Sequence, residues 1–101
     1  MQRFGRIAKL RPVTDYDVWH AAVWPEVRAA IAAAGLRNYT IFRHGEWLFS
    51  YFELPTDLTL AEATVVIGQS SSCRHWEEQM RLFRDPEFSV DWLPMTEVFH
   101  Q

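Results

Sequence analysis

The chain has 101 residues, 49% of them hydrophobic and 23% charged, and carries a formal net charge of -3. That suffices for one domain around one core, spanning residues 1–101, and its scattered basic residues leave no nucleic-acid footprint. No apolar stretch is long enough to cross a bilayer, and the opening Met1-Gln2-Arg3-Phe4-Gly5-Arg6 lacks the apolar segment of a secretion signal. Cys73, alone, can form neither an internal disulfide nor a thiolate cluster, so the expectation is a cytoplasmic protein without a membrane partner.

Residues 3–10 alternate, with Phe4, Arg6, Ala8 and Leu10 on one side and Gly5, Ile7 and Lys9 on the other, which predicts a strand closed by Arg11-Pro12. Thr14 is expected to cap a helix whose first turn gains from Asp15 and Asp17 at the positive end of the dipole. Its apolar pattern runs through Tyr16, Trp19, His20, Val23, Val27, Ala30, Ile31 and Ala34 to a stop at Gly35. Pro25 has no N–H for the carbonyl of Ala21, so the pattern predicts a kink, or a second helix starting near Trp24 with Pro25 in its first turn. Either way the backbone opens just after His20.

Residues 38–43 read as a second strand, His44-Gly45 as a turn, and residues 46–54 as a third strand rich in aromatics, closed by Pro55. Residues 57–67 are helical in pattern, with Gly68 as the end. Ser70 or Ser71 caps a further helix carrying Cys73, Trp76, Met80 and Phe83 at three- and four-residue spacing, ended by Asp85-Pro86. Residues 95–100 alternate again as a final strand. The order predicts an α+β fold: a ferredoxin-like split βαβ plan with a four-stranded antiparallel sheet and helices on one face. The other face would carry Trp47, Phe49 and Tyr51, or else Leu48 and Phe52. An apolar face of that size calls for a cover, and a homodimer packed sheet on sheet, a dimeric α/β barrel, is the simplest one.

Tyr16 and His20 stand four residues apart, which places a phenol and an imidazole side by side on one helix face. A histidine in a small domain is ordinarily a surface or hydrogen-bonded structural residue. His20 differs in falling on the apolar stripe, and imidazole is the side chain best suited to move protons near neutral pH. Tyr16 and Tyr39 read equally well as core tyrosines, and Trp76 as a core residue of its helix. His44 lies in a turn, and His75 and His100 find no second ligand at metal spacing. No phosphate-binding glycine loop, nucleophile elbow or metal motif occurs. What remains is proton transfer to and from a bound hydroxylated molecule. The many aromatics, five Trp, seven Phe and three Tyr, suit a sugar-binding cleft as well as a core.

Four segments in order, Tyr16-x-x-x-His20-x-x-x-Trp24-Pro25-Glu26, Asn38-Tyr39-x-Ile41, Cys73-x-x-Trp76-x-x-x-Met80 and Glu97-Val98-Phe99, make the chain resemble the L-rhamnose mutarotase family over nearly its whole length. The resemblance implies a ferredoxin-like protomer in a sheet-to-sheet homodimer. It implies an isomerase that interconverts the α and β anomers of L-rhamnose or a related deoxyhexose such as L-fucose, with no cofactor and no metal. Carried over residue by residue, it makes His20 the proton donor and Tyr16, Tyr39 and Trp76 contacts of the monosaccharide.

At residue 77 the chain departs from the family, which carries a second tryptophan directly after the first, whereas here the position is Glu77. A carboxylate there accepts hydrogen bonds but cannot stack. One expectation is that Glu77 turns to solvent and pairs with Arg81 one turn on; the other is that it joins the substrate-binding residues and shifts sugar preference. A competing function on the same architecture is a small-molecule binding module or a cofactor-free oxygenase.

Overall fold

The computed structural model describes residues 1–101. Its elements are β1 (Gln2–Lys9), α1 (Tyr16–Ala21), α2 (Pro25–Ala33), β2 (Arg37–His44), β3 (Trp47–Leu54), α3 (Leu60–Gly68), α4 (Ser71–Phe83) and β4 (Leu93–Met95). The strands form one sheet in the order β2-β3-β1-β4, every neighbouring pair antiparallel. This is the ferredoxin-like α+β plan that the element order predicts.

Local chemistry sets the boundaries. The missing N–H of Pro25 ends α1, and the proline ring drives the preceding Trp24 to an extended φ of -58° and ψ of 134°. Pro25 then becomes the first residue of α2, so of the two outcomes open at this proline the chain takes the second helix. Thr59 and Glu62 form a reciprocal capping box at α3, and the Ser70 hydroxyl accepts from the Cys73 N–H at α4. Two expectations fail. Asp15, not Thr14, is the N-cap of α1, and it makes no side-chain cap bond; the Thr14 hydroxyl instead accepts from the Tyr16 N–H at 3.3 Å. The final strand covers only Leu93–Met95, paired to Ile7–Gly5 of β1, and residues 96–100 form no strand although their sequence alternates. Alternation is a pattern of side chains; a strand also needs a partner backbone, and β1 gives β4 only three positions.

The pleat sorts the sheet. Ala8 of β1 and Leu48, Ser50, Phe52 and Leu54 of β3 are buried toward the helices. Trp47, Phe49 and Tyr51 lie on the opposite face with Ile7, Phe42, Leu93 and Met95, which resolves the choice between the two candidate sets. Under the helices the core divides. One cluster gathers Ala8, Leu10, Tyr16, Val27, Leu48, Cys73, Trp76 and Met80, the other Ala34, Leu36, Phe52, Leu54 and Ala63. Ile31 and Ile67 pack against both. The two clusters do not fill the space between sheet and helices.

A bulge in β2 aims one residue into that space. Arg37 pairs with Glu53 and Thr40 with Tyr51, so β2 spends one residue more than β3 between the two pairs. Asn38 absorbs it at a φ of 54°, where asparagine is tolerated better than other side chains. The extra residue puts Leu36 and Tyr39 on the same, helix-covered side. Asn38→Val places a β-branched residue at positive φ and is expected to lower stability by about 1–2 kcal/mol in urea unfolding, whereas Asn38→Gly stays close to the parent. Equal midpoints for the two variants would contradict this role for the bulge.

Candidate functional site

The unfilled space is a cavity of about 800 Å³. Tyr16, His20, Tyr39, Trp76 and Glu77, the five residues singled out from sequence, all line it. Three separate elements deliver them, α1, β2 and α4, and the break before α2 opens the wall after His20.

His20 sits at the end of α1. Its Nδ1 lies 3.0 Å from the carbonyl oxygen of Tyr16. A carbonyl oxygen only accepts, so Nδ1 carries the proton and Nε2 is the free nitrogen of the neutral ring. The ring stacks on Tyr16, with centroids 4.0 Å apart, and meets the Trp76 indole edge-on at 5.4 Å. Burial holds the His20 pKa below its ordinary value, against smaller opposing effects of the Tyr16 carbonyl and Asp17. The imidazole is therefore neutral through the neutral pH range. Burial likewise raises the pKa of Tyr16 and of Tyr39, keeping both phenols protonated.

Trp76 is fixed from three sides, by Trp19 at 5.6 Å, Trp24 at 5.1 Å and His20. Tyr39 lies parallel to Phe52 at 5.8 Å, and its oxygen accepts from Nη2 of Arg6 at 2.9 Å. That leaves the phenol hydrogen available to a ligand.

Glu77 corrects the solvent-facing expectation. It does not pair with Arg81, which instead meets Asp91 at 3.0 Å. Glu77 turns inward to Arg84 Nη1 at 2.6 Å. Arg84 follows α4 directly and is buried to 1% exposure; Nη1 also donates to the Val90 carbonyl, and Nε has no partner. An i,i+7 partner that is fully buried offers a stronger bond than an exposed one at i,i+4, because little water competes for it. Arg6, Arg84 and Trp92 are further lining residues that the sequence reading passed over. Arg6 carried a signal, a charge on the apolar side of an alternating strand. Arg84 carried none: next to Asp85-Pro86 it reads as an ordinary helix end.

Comparisons with known proteins agree with this architecture. A family model described as L-rhamnose mutarotase matches residues 3–101. The chain is similar to the L-rhamnose mutarotase of Lactiplantibacillus plantarum, at 32% identity over 99% of this chain and 98% of the relative. It is similar to that of Opitutus terrae at 30% identity over 85% of this chain and 83% of the relative, and to one from Listeria monocytogenes at 31% over 99% and 98%. A crystal structure of an L-rhamnose mutarotase from Formosa agariphila, 21% identical, superposes with a TM-score of 0.77 over 100% of this chain and 99% of the other, which establishes the shared fold.

The charged wall of the cavity makes a stability prediction. Glu77→Gln removes the counter-charge of a buried guanidinium. Because the Glu77 side chain is itself 45% exposed, the expected loss is about 1–2 kcal/mol, the lower part of the range for a charged hydrogen bond. Replacing both partners, Glu77→Leu with Arg84→Met, is expected to recover much of that loss in urea unfolding. Additive losses in the double variant would contradict the pairing.

Proposed function

The chain belongs to the L-rhamnose mutarotase family, and we propose that its cavity interconverts the α and β anomers of L-rhamnose or a related deoxyhexose such as L-fucose, with His20 as the proton carrier. The observation that carries the reading is the fixed His20 tautomer: Nδ1–H is spent on the Tyr16 carbonyl, and Nε2 is free in a cavity lined by hydroxyl, indole and guanidinium groups.

Mutarotation needs one proton taken from the anomeric hydroxyl and one delivered to the ring oxygen. The C1–O5 bond then breaks to give the open-chain aldehyde, which turns and recloses on its other face. Neutral His20 accepts the anomeric proton at Nε2 and, as the imidazolium so formed, becomes the proton donor that the family resemblance implies. It passes that proton through a water, for which the cavity leaves room beside one pyranose, to the ring oxygen, and closing runs the same relay in reverse, so neither imidazolium nor hydroxide is left behind. The Tyr16 and Tyr39 phenols, held protonated by burial, donate to sugar hydroxyls, and the Trp76 indole offers a face or edge to the apolar C–H patch. None of these steps calls on a metal or a redox cofactor. A cytoplasmic setting fits the lone, buried Cys73 thiol.

We extend the proposal to a homodimer. Phe42, Leu93 and Met95 are 63%, 37% and 40% exposed on the sheet face away from the helices. With Ile7, Trp47, Phe49 and Tyr51 they form an apolar surface that a second copy, packed sheet on sheet, would cover.

His20→Ala is expected to slow anomer exchange of L-rhamnose by about two to four orders of magnitude in exchange NMR, with circular dichroism unchanged. Exchange at the parental rate would remove His20 from the mechanism. In the parent, kcat/KM is expected to fall only below the ordinary histidine pKa of about 6.5, since the lowered value of His20 keeps the accepting form populated down to there. An acid limb above neutrality would contradict the neutral-imidazole role. Sedimentation at micromolar concentration is expected to give a dimer burying roughly 1,200–2,000 Å² in total; a monomer would overturn that part.

A further inference from the structure

Arg6 violates the pattern of its own strand. Its neighbours on the same side of β1, Phe4, Ala8 and Leu10, are apolar and lie beneath the helices. Arg6 stands between them, paired across the sheet with Ser50, itself only 2% exposed. An arginine and a serine facing each other in the middle of a covered sheet face cost folding energy, and such local violations concentrate at functional sites.

The surroundings of Arg6 are organised. Its Nε donates to the Ser50 hydroxyl at 3.2 Å and its Nη2 to the Tyr39 hydroxyl at 2.9 Å. Three rings surround the guanidinium: Phe52 at 4.9 Å, Trp92 at 5.2 Å and Tyr39 at 5.8 Å from its central carbon. These contacts fix its plane and keep water from much of it. Nη1 has no protein partner, and it is not sealed in, since the only buried orphan among side-chain polar atoms is Nε of Arg84.

The charges do not balance. The charged groups lining the cavity are Arg6, Arg28, Arg84, Glu77 and Asp91, with His20 neutral. Both acids are already matched, Glu77 with Arg84 at 2.6 Å and Asp91 with Arg81 at 3.0 Å. Arg28 is exposed at the edge. Arg6 alone is a positive charge inside the cavity with only neutral hydroxyls as partners. A methyl group, as at C6 of a deoxyhexose, leaves Nη1 unmet; a carboxylate there would meet it with a charge-assisted bond.

We propose that Arg6 makes this cavity a site for acidic aldoses: it takes, in preference to neutral hexoses, pyranoses whose C6 is a carboxylate, anchored on Nη1 of Arg6. This rests on the mutarotase reading for its chemistry and adds a substrate class to it. The ring-opening step is unchanged, because the carboxylate at C6 takes no part in the bonds broken or made at C1 and O5.

Two matched series test it by exchange NMR: L-rhamnose, L-mannose and L-mannuronate, and D-fucose, D-galactose and D-galacturonate. Within each, one ring carries methyl, hydroxymethyl or carboxylate. In at least one series the carboxylate sugar is expected to exceed its hydroxymethyl partner in kcat/KM by about tenfold or more, the scale of one charge-assisted bond. Arg6→Met, whose fold is checked by circular dichroism, is expected to abolish that ratio chiefly through KM, and Arg6→Lys to retain part of it. Ratios near one in the parent, or a ratio untouched by Arg6→Met, would overturn the proposal while leaving the L-rhamnose activity standing. Should no sugar exchange at all, the mutarotase reading falls separately. Chemical-shift titration of the Trp92 indole N–H then decides the acidic-ligand claim: saturable shifts with a uronate but not the matched hexose support it, and no shift overturns it.

Discussion

Side chains of a strand must alternate between two faces, and the paired centre of this sheet places the cavity through that constraint. In the β1–β3 pair, Ala8 faces Leu48, Arg6 faces Ser50 and Phe4 faces Phe52 on one side, with Gly5, Ile7 and their partners Tyr51 and Phe49 on the other. A slip of β1 by one residue would send Arg6 to the open side and bring Gly5 and Ile7 beneath the helices. The helices then have only one apolar floor on which to dock. Because that floor carries Arg6 and Ser50 at its middle, they meet it as two clusters bridged by Ile31 and Ile67, and the cavity is the gap between.

Two irregularities complete the site. The one-residue bulge at Asn38 returns Tyr39 to the floor, where its oxygen meets Arg6. The break between α1 and α2 stops the first helix one residue beyond His20, so the imidazole lies at a helix end with an opening beside it. The i,i+4 spacing that brings the rings of Tyr16 and His20 together also brings the His20 ring to the Tyr16 carbonyl. One backbone acceptor thus sets the tautomer, while burial sets the charge state. Fold and proton chemistry are coupled at that single turn.

The element order, the β1 alternation, the role of Pro25 and the Tyr16–His20 juxtaposition were all legible in the sequence, because each follows from local covalent chemistry or from a short periodicity. So were the candidate lining residues Tyr39 and Trp76, through the family resemblance, and Glu77, as the position where the chain departs from it. The inward turn of Glu77 was not legible. Nothing near it announces that Arg84, seven residues on, is buried, since that follows from how the segment after α4 folds back to let Val90 and Trp92 cover the guanidinium. The short β4 was hidden for a similar reason: residues 96–100 alternate as well as any strand, yet pairing is a property of two segments. The Asn38 bulge, too, becomes visible only when β2 is laid against β3.

The central claim is that His20 presents an unprotonated Nε2 to the sugar while Nδ1–H is held by the Tyr16 carbonyl. Nitrogen-15 NMR of the His20 ring at neutral pH tests it most directly, because the two nitrogens report their protonation separately. The account predicts a protonated Nδ1 and an unprotonated Nε2 in the free protein, with the Nε2 resonance moving when L-rhamnose is added. An imidazolium, or the opposite tautomer with the proton on Nε2, would contradict it.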